Sequence, residues 1–220
     1  MKRLNFVTGC AFGLAVLATA ASGQMGMGMR PSMPSGIFSP VIGSGAQYES
    51  STPGGAKSVI EYTLVGKDTV MGKDGYWLEW NMSSAGMSQM VMKMLIVPGS
   101  TDAPSHMIMQ IGKNPPMEMP MQGGTGATPK PNLDVRTGAQ DLGKESVTTP
   151  AGTFGCEHYR SAQGGDVWVS SQVPPFGMVK SSNNGSSMVL TKLITGAQDR
   201  ITGTPVPFNP QLMMQGMQNQ

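Results

Sequence analysis

Tyr76-Trp77-Leu78-Glu79-Trp80-Asn81-Met82 and, further on, Met90-Val91-Met92-Lys93-Met94-Leu95-Ile96-Val97 decide the fold. In the first stretch Tyr76, Leu78, Trp80 and Met82 alternate with Trp77, Glu79 and Asn81. In the second, Met90, Met92, Met94 and Ile96 alternate with Val91, Lys93, Leu95 and Val97. Side chains two apart share one face of a strand, so both stretches read as β-strands with one apolar face. Lys73-Asp74-Gly75 precedes the first strand and reads as a hairpin turn. Ile60, Tyr62 and Leu64 set the same period before it, and Pro98-Gly99 stops the second strand.

The pattern spreads outward. His106–Ile111 reads as a further strand. Leu142–Thr149 and Thr153–Ser161 flank Pro150-Ala151-Gly152 and read as a hairpin. Asp166–Ser170 is a short strand, and Val173-Pro174-Pro175-Phe176-Gly177 a rigid elbow. Met178–Ser182 and Ser187–Thr195 flank Asn183-Asn184-Gly185, where Asn-Gly is the strongest local turn signal. Between residues 113 and 132 prolines and glycines cluster, which predicts a long loop. No extended run carries the helical period. The expectation is a mainly β domain over residues 47–202, with few or no helices.

The ends differ. Met1-Lys2-Arg3, an apolar run and Ala21-Ser22-Gly23 form the three parts of a cleavable signal peptide over 1–23. Polar Asn5 and Thr8 make that run a poor membrane anchor. The chain is therefore expected to be exported, to the periplasm, the outer membrane or the medium, with no transmembrane segment after cleavage. Residues 24–46 are rich in Met, Gly and Pro and read as a linker. Residues 203–220 read as a tail without structure.

Composition narrows the function. Taking Lys2 and Arg3 from the 15 basic residues leaves as many as the 13 acidic ones. No basic run exists, so a nucleic-acid partner is not expected. Of the two cysteines, Cys10 lies in the signal peptide, so Cys156 has no partner for an internal disulfide. The chain has no HExxH, GxSxG or CxxC and no glycine-rich loop opening a helix, so no enzyme is expected. Cys156 and His158 fall on one face of a strand, but an oriented base and an oxyanion site are not evident beside them. Glu61, Glu79, Glu145, Glu157 and Asp166 fall where solvent faces are expected.

Two stretches carry a resemblance. One is Leu142-Gly143-Lys144-Glu145-Ser146-Val147-Thr148-Thr149-Pro150-Ala151-Gly152-Thr153-Phe154-Gly155-Cys156-Glu157-His158-Tyr159. The other is Asp166-Val167-Trp168-Val169-Ser170 with Val173-Pro174-Pro175-Phe176-Gly177-Met178-Val179-Lys180. In this order they resemble the LolA/LolB-like lipoprotein-carrier superfamily, well over 140–195 and loosely over 45–112. The resemblance implies an open antiparallel half-barrel around an apolar groove. The chain departs from that family in lacking amphipathic helices to plug the groove and in using Met for much of the aliphatic lining.

Methionine is the unusual residue, at 21 of 220. Adaptable, polarisable thioethers suit an irregular core or an apolar groove. Trp77, Trp80, Met90, Met92, Met94, Met107 and Met109 are thus the candidate lining for a lipid-like ligand carried without catalysis. Thioethers also select soft copper(I). Met90, Met92, Met94, His106, Met107 and Met109 are the alternative copper set. A structural envelope protein without a ligand is the third expectation. Oligomeric state is not legible.

Overall fold

A computed structural model describes residues 35–55, 57–84, 88–100, 104, 106–119 and 132–218. The expected signal peptide, the linker up to residue 34 and residues 120–131 of the expected loop lie outside the described residues.

The domain is one open sheet of twelve strands. They are β1 (Ser44–Ser51), β2 (Ser58–Val70), β3 (Lys73–Ser84), β4 (Met90–Ile96), β5 (Met107–Ile111), β6 (Met117–Glu118), β7 (Ala139–Thr149), β8 (Gly152–Ser161), β9 (Asp166–Val169), β10 (Met178–Asn183), β11 (Ser186–Thr195) and β12 (Val206–Pro207). Their order across the sheet is β12-β6-β5-β4-β3-β2-β1-β11-β10-β9-β8-β7. Among the described strand pairs β12–β6 alone is parallel. The sheet does not close, and one short helix, α1 (Pro210–Gln218), completes the described structure. The expected mainly β, open half-barrel architecture is what the chain adopts.

Local chemistry sets the register. Asn183 pairs with Ser186 around Asn184 and Gly185, both at positive φ, as a two-residue hairpin turn requires. The β2–β3 hairpin turns earlier than expected. Val70 pairs with Lys73, and Met71 (φ 49°) and Gly72 (φ 76°) make the turn, so Lys73-Asp74-Gly75 belongs to β3. Register shifts at Gln47/Tyr48, Leu64/Gly66, Asp141/Gly143 and Met178/Lys180 interrupt the ladders. A bulge at such a shift bends a strand and sharpens its twist.

One face of the sheet holds the core: Tyr48, Tyr62, Leu64, Leu78, Trp80, Met92, Met94, Met109 and Met117 are all buried. Chain segments, not helices, fill the hollow in front of β1–β3. Ile37 N donates to Phe176 O at 2.7 Å and Phe38 N to Leu133 O at 2.8 Å. Phe38 packs edge-on to Tyr76 (centroids 5.7 Å apart) and lies beside Phe176, which itself meets Tyr62. Gly36 is required here, since a Cβ would stand 1.9 Å from Phe176 O. Of residues 35–46, expected to be linker, 35–38 are therefore docked and 44–46 lie in β1, with the exposed stretch 39–42 between them.

The expected solvent face of β2–β4 is covered as well. Thr63, Glu79, Asn81, Val91, Lys93 and Leu95 are buried. After β11 the chain turns back across them. Arg200 Nη1 and N both donate to Glu79 at 2.9 Å, and Nη2 donates to Glu61 Oε2 at 2.6 Å. Lys93 pairs with Asp199. The strap continues to the far edge, where Val206 and Pro207 pair with β6. Leu212 O there accepts from Asn114 Nδ2 at 2.7 Å. The tail expected to lack structure is thus β12 and α1, because Val206, Leu212 and Met213 find apolar partners on the core.

Candidate functional site

The sequence-nominated residues divide between two faces. Met92, Met94, Met107, Met109 and Trp80 are buried in the core, and Met90 is half-buried there. Trp77 lies on the opposite face, with Lys93 Nζ 5.1 Å from its ring centroid and His106 6.4 Å away. Trp77 and Trp80 therefore do not line one site. His106 is likewise separated from Met107 and Met109 by the strand's alternation, and its Nδ1 faces Glu118 Oε1 at 3.3 Å. The six-residue copper set is not brought together as one cluster.

A smaller thioether set is. Cross-strand pairing puts Tyr62 beside Trp80, Trp80 beside Met92, Met92 beside Met109 and Met109 beside Met117. Directly paired residues have Cβ atoms about 5 Å apart. Three thioethers thus run in a row from an indole. The Trp80 Nε1 hydrogen has no hydrogen-bond partner among the described residues.

Cys156 and His158 do not form a thiolate–imidazole couple. The Cys156 thiol is buried and leans to Phe154 O at 3.5 Å. Burial, reinforced by the Glu145 charge, pushes its pKa up and keeps it protonated. His158 stacks on Trp168 with centroids 4.3 Å apart. Its Nδ1 lies 3.0 Å from Glu145 Oε1 and its Nε2 3.0 Å from Asp166 Oδ1. Arg160 Nε also donates to Asp166, at 2.9 Å, and this bond chiefly holds the Asp166 carboxyl below the usual range. Lys180 Nζ sits 4.7 Å over the other partner, Trp168. This is a surface ion cluster that ties β7, β8, β9 and β10 together.

Open space lies in the second half of the sheet. A cleft of about 860 Å³ is bounded by residues 37–39, by β7 and β8, and by the turn after β9. Ile37, Phe38, Cys156, Val169 and Val173 give it an apolar part. Arg136, Lys144, Glu145 and Glu157 give it a charged one, and Ser39, Ser146, Ser170 and Ser171 add hydroxyls. Arg136 is held by Asp134 at 2.7 Å, so its charge is largely answered. Tyr159, bonded to Glu157, is pushed up to about 12 by burial and by that bond, and stays a neutral donor. A second cleft of about 590 Å³ lies among β1, β9, β10, β11 and residues 132–139. None of the seven expected ligand-lining residues borders either cleft. Sequence reading missed both because their walls come from segments far apart in the chain; the hydroxyl-rich Ser181-Ser182 and Ser186-Ser187 were the available signal.

Among the described residues no helix is long and apolar enough to cross a membrane, and no group of three His, Cys, Asp or Glu side chains could hold a metal ion. No family model and no curated protein matches the chain. Two solved structures are similar to it. One, described as an exported protein with a YmcC-like fold from Bacteroides fragilis, is 14% identical with a TM-score of 0.37, over 73% of this chain and 99% of that one. The other, described as a lipoprotein from Parabacteroides distasonis, is 16% identical with a TM-score of 0.36, over 73% of this chain and all of that one.

Proposed function

We propose that the protein is an exported, non-enzymatic carrier that takes an amphipathic, lipid-like ligand into the cleft beside Phe38 and Val173. One observation carries this reading. The methionine face is packed with the chain's own side chains, whereas the cleft of about 860 Å³ joins an apolar floor to a charged rim. Ligand sites commonly combine those features at this size. The signal-peptide pattern of residues 1–23 supports export, and the resemblance of residues 140–195 to lipoprotein carriers supports a carrier role.

The test uses the mature chain, stripped of lipid and titrated with a dansylated fatty acid. Ser171 is exposed at the cleft wall, so Ser171→Trp fills it without disturbing the core. Binding at least tenfold weaker in S171W and unchanged in M92L is expected. Binding that ignores S171W, or no binding by the stripped chain, contradicts the proposal. Mass spectrometry of lipid extracted from freshly purified protein gives the natural ligand.

A second reading has its own observation, the row Trp80–Met92–Met109–Met117. Soft thioethers beside an indole face suit a copper(I) ion. Anaerobic copper(I) titration against a competing chromophoric chelator tests it. Equal affinity in the wild type and in M92L/M109L/M117L removes this reading.

A further inference from the structure

The cleft of about 590 Å³ differs in chemistry from the one assigned to a lipid. Its central row is fixed by strand register. Ser50 of β1 pairs with Met188 of β11, Met188 pairs with Ser181 of β10, and Ser181 pairs with Val167 of β9. Paired residues project to the same side, so hydroxyl and apolar groups alternate across four neighbouring strands. Strands lie about 4.8 Å apart, which puts Ser50 and Ser181 about 10 Å from one another. All four residues border the cleft. The hydroxyls of Ser50 and Ser181 have no hydrogen-bond partner among the described residues, and neither is sealed from solvent. They are free to donate and accept.

Charge is nearly absent. Among the described residues Asp166 is the only charged member of the lining, and Arg160 and His158 already engage its carboxylate. A phosphate or carboxylate ligand would meet no free cation. An acyl chain would strand the hydroxyls and amides that dominate the walls, at a cost for each polar group left dry. The arrangement suits a ligand that is uncharged, rich in hydroxyls and apolar on its ring faces.

We infer that this cleft binds a neutral saccharide, with Ser50 and Ser181 bonded to its hydroxyls and its ring C–H groups against the edges that the otherwise buried Met188 and Val167 present to the cleft. The spacing of the two serines spans about two sugar units. The inference is independent of the lipid reading, because the two clefts share no lining residue.

The test is an amide NMR titration of the mature protein with two neutral probes, maltotetraose and chitotetraose, and with glucose 6-phosphate as the charged comparison. At least one neutral probe shifts the amides around Ser50, Ser181 and Met188 and saturates. The phosphate does not. S50A/S181A weakens that binding about tenfold, as loss of two hydrogen bonds should. Gln163 is exposed at the cleft border, so Gln163→Ala serves as a second variant that leaves the sheet intact and weakens binding severalfold. The inference is overturned if neither neutral probe shifts these amides, if both variants bind as the wild type does, or if glucose 6-phosphate binds in preference.

Discussion

The two halves of the sheet treat charge in opposite ways. Across β2–β4 the strap buries it: Glu79 has no exposed surface, and Arg200 answers it with two bonds while reaching Glu61 with a third. Across β7–β10 charge stays wet: Glu145, Arg160 and Lys144 are exposed, and their ion pairs stand at the surface. In the first half both faces are covered at the middle of β2–β4. The second leaves two clefts open. A sheet covered on both sides is a frame, whereas open polar walls are where a ligand can exchange with solvent. Met92, Met94, Met107, Met109 and Met117 belong to the frame.

The sharpest way to break this contrast is to remove the cation from each half. Arg200→Ala leaves Glu79 buried and unpaired, and should cost about 3–5 kcal/mol in urea unfolding. Arg160→Ala removes an ion pair at the surface and should cost no more than about 1 kcal/mol. E79Q/R200M should recover much of the loss of R200A, since the uncompensated charge is gone. Comparable costs for R200A and R160A would erase the difference between the halves.

Next in size comes the core. Met109→Ala opens a cavity in a filled face and should cost about 2–5 kcal/mol. Met109→Leu conserves volume and should cost less than about 1.5 kcal/mol. If Met109→Leu proves as damaging as Met109→Ala, thioether chemistry and not packing holds that position.

The pH dependence is smaller and has a definite sign. Burial raises the Glu61 carboxyl, but bonds from Asn81 and Gln47 and the Arg200 charge outweigh it, and the net position is below the ordinary 4.5. Glu61 therefore adds stability that is complete above 4.5 and is lost as pH falls through the lower folded value. Glu79 runs the other way. Burial lifts it above 4.5 despite Arg200, so its contribution falls as pH rises through that window. Urea midpoints measured from pH 7 down to pH 3 should show Glu61→Gln with a flatter acid limb than the wild type. An unchanged limb would mean that the strap does not hold Glu61 in solution.

Smallest of all, Ser181→Ala should change stability by no more than about 0.5 kcal/mol, since its half-buried hydroxyl loses no hydrogen-bond partner among the described residues.

The alternation of apolar residues made most of the sheet legible. Met90–Ile96 and Tyr76–Met82 are strands with the expected face inward. Period two says which residues share a face but not what covers it. Glu79 sits in a pattern that normally means solvent, and its cover, Arg200, lies over a hundred residues away. Gly203–Gln218 lacks any strong period of its own and folds only against β5 and β6. The β2–β3 turn was displaced because Asp-Gly at 74–75 is the better local signal, while the strand pairing places Met71 in the left-handed region with its side chain in water. The candidate site was least legible of all. Ile37, Lys144, Cys156 and Ser171 come from separate stretches of the chain, and only folding brings them to one cleft.

Hydrogen–deuterium exchange on the stripped mature chain, with and without saturating dansylated fatty acid, tests the division between frame and binding half most directly. Ligand should slow exchange in residues 37–39, 144–146 and 169–173 and leave 90–96 and 107–117 unchanged. Protection centred on 90–117 instead, with no change around Phe38 and Val173, would return the ligand to the methionine face and contradict that division.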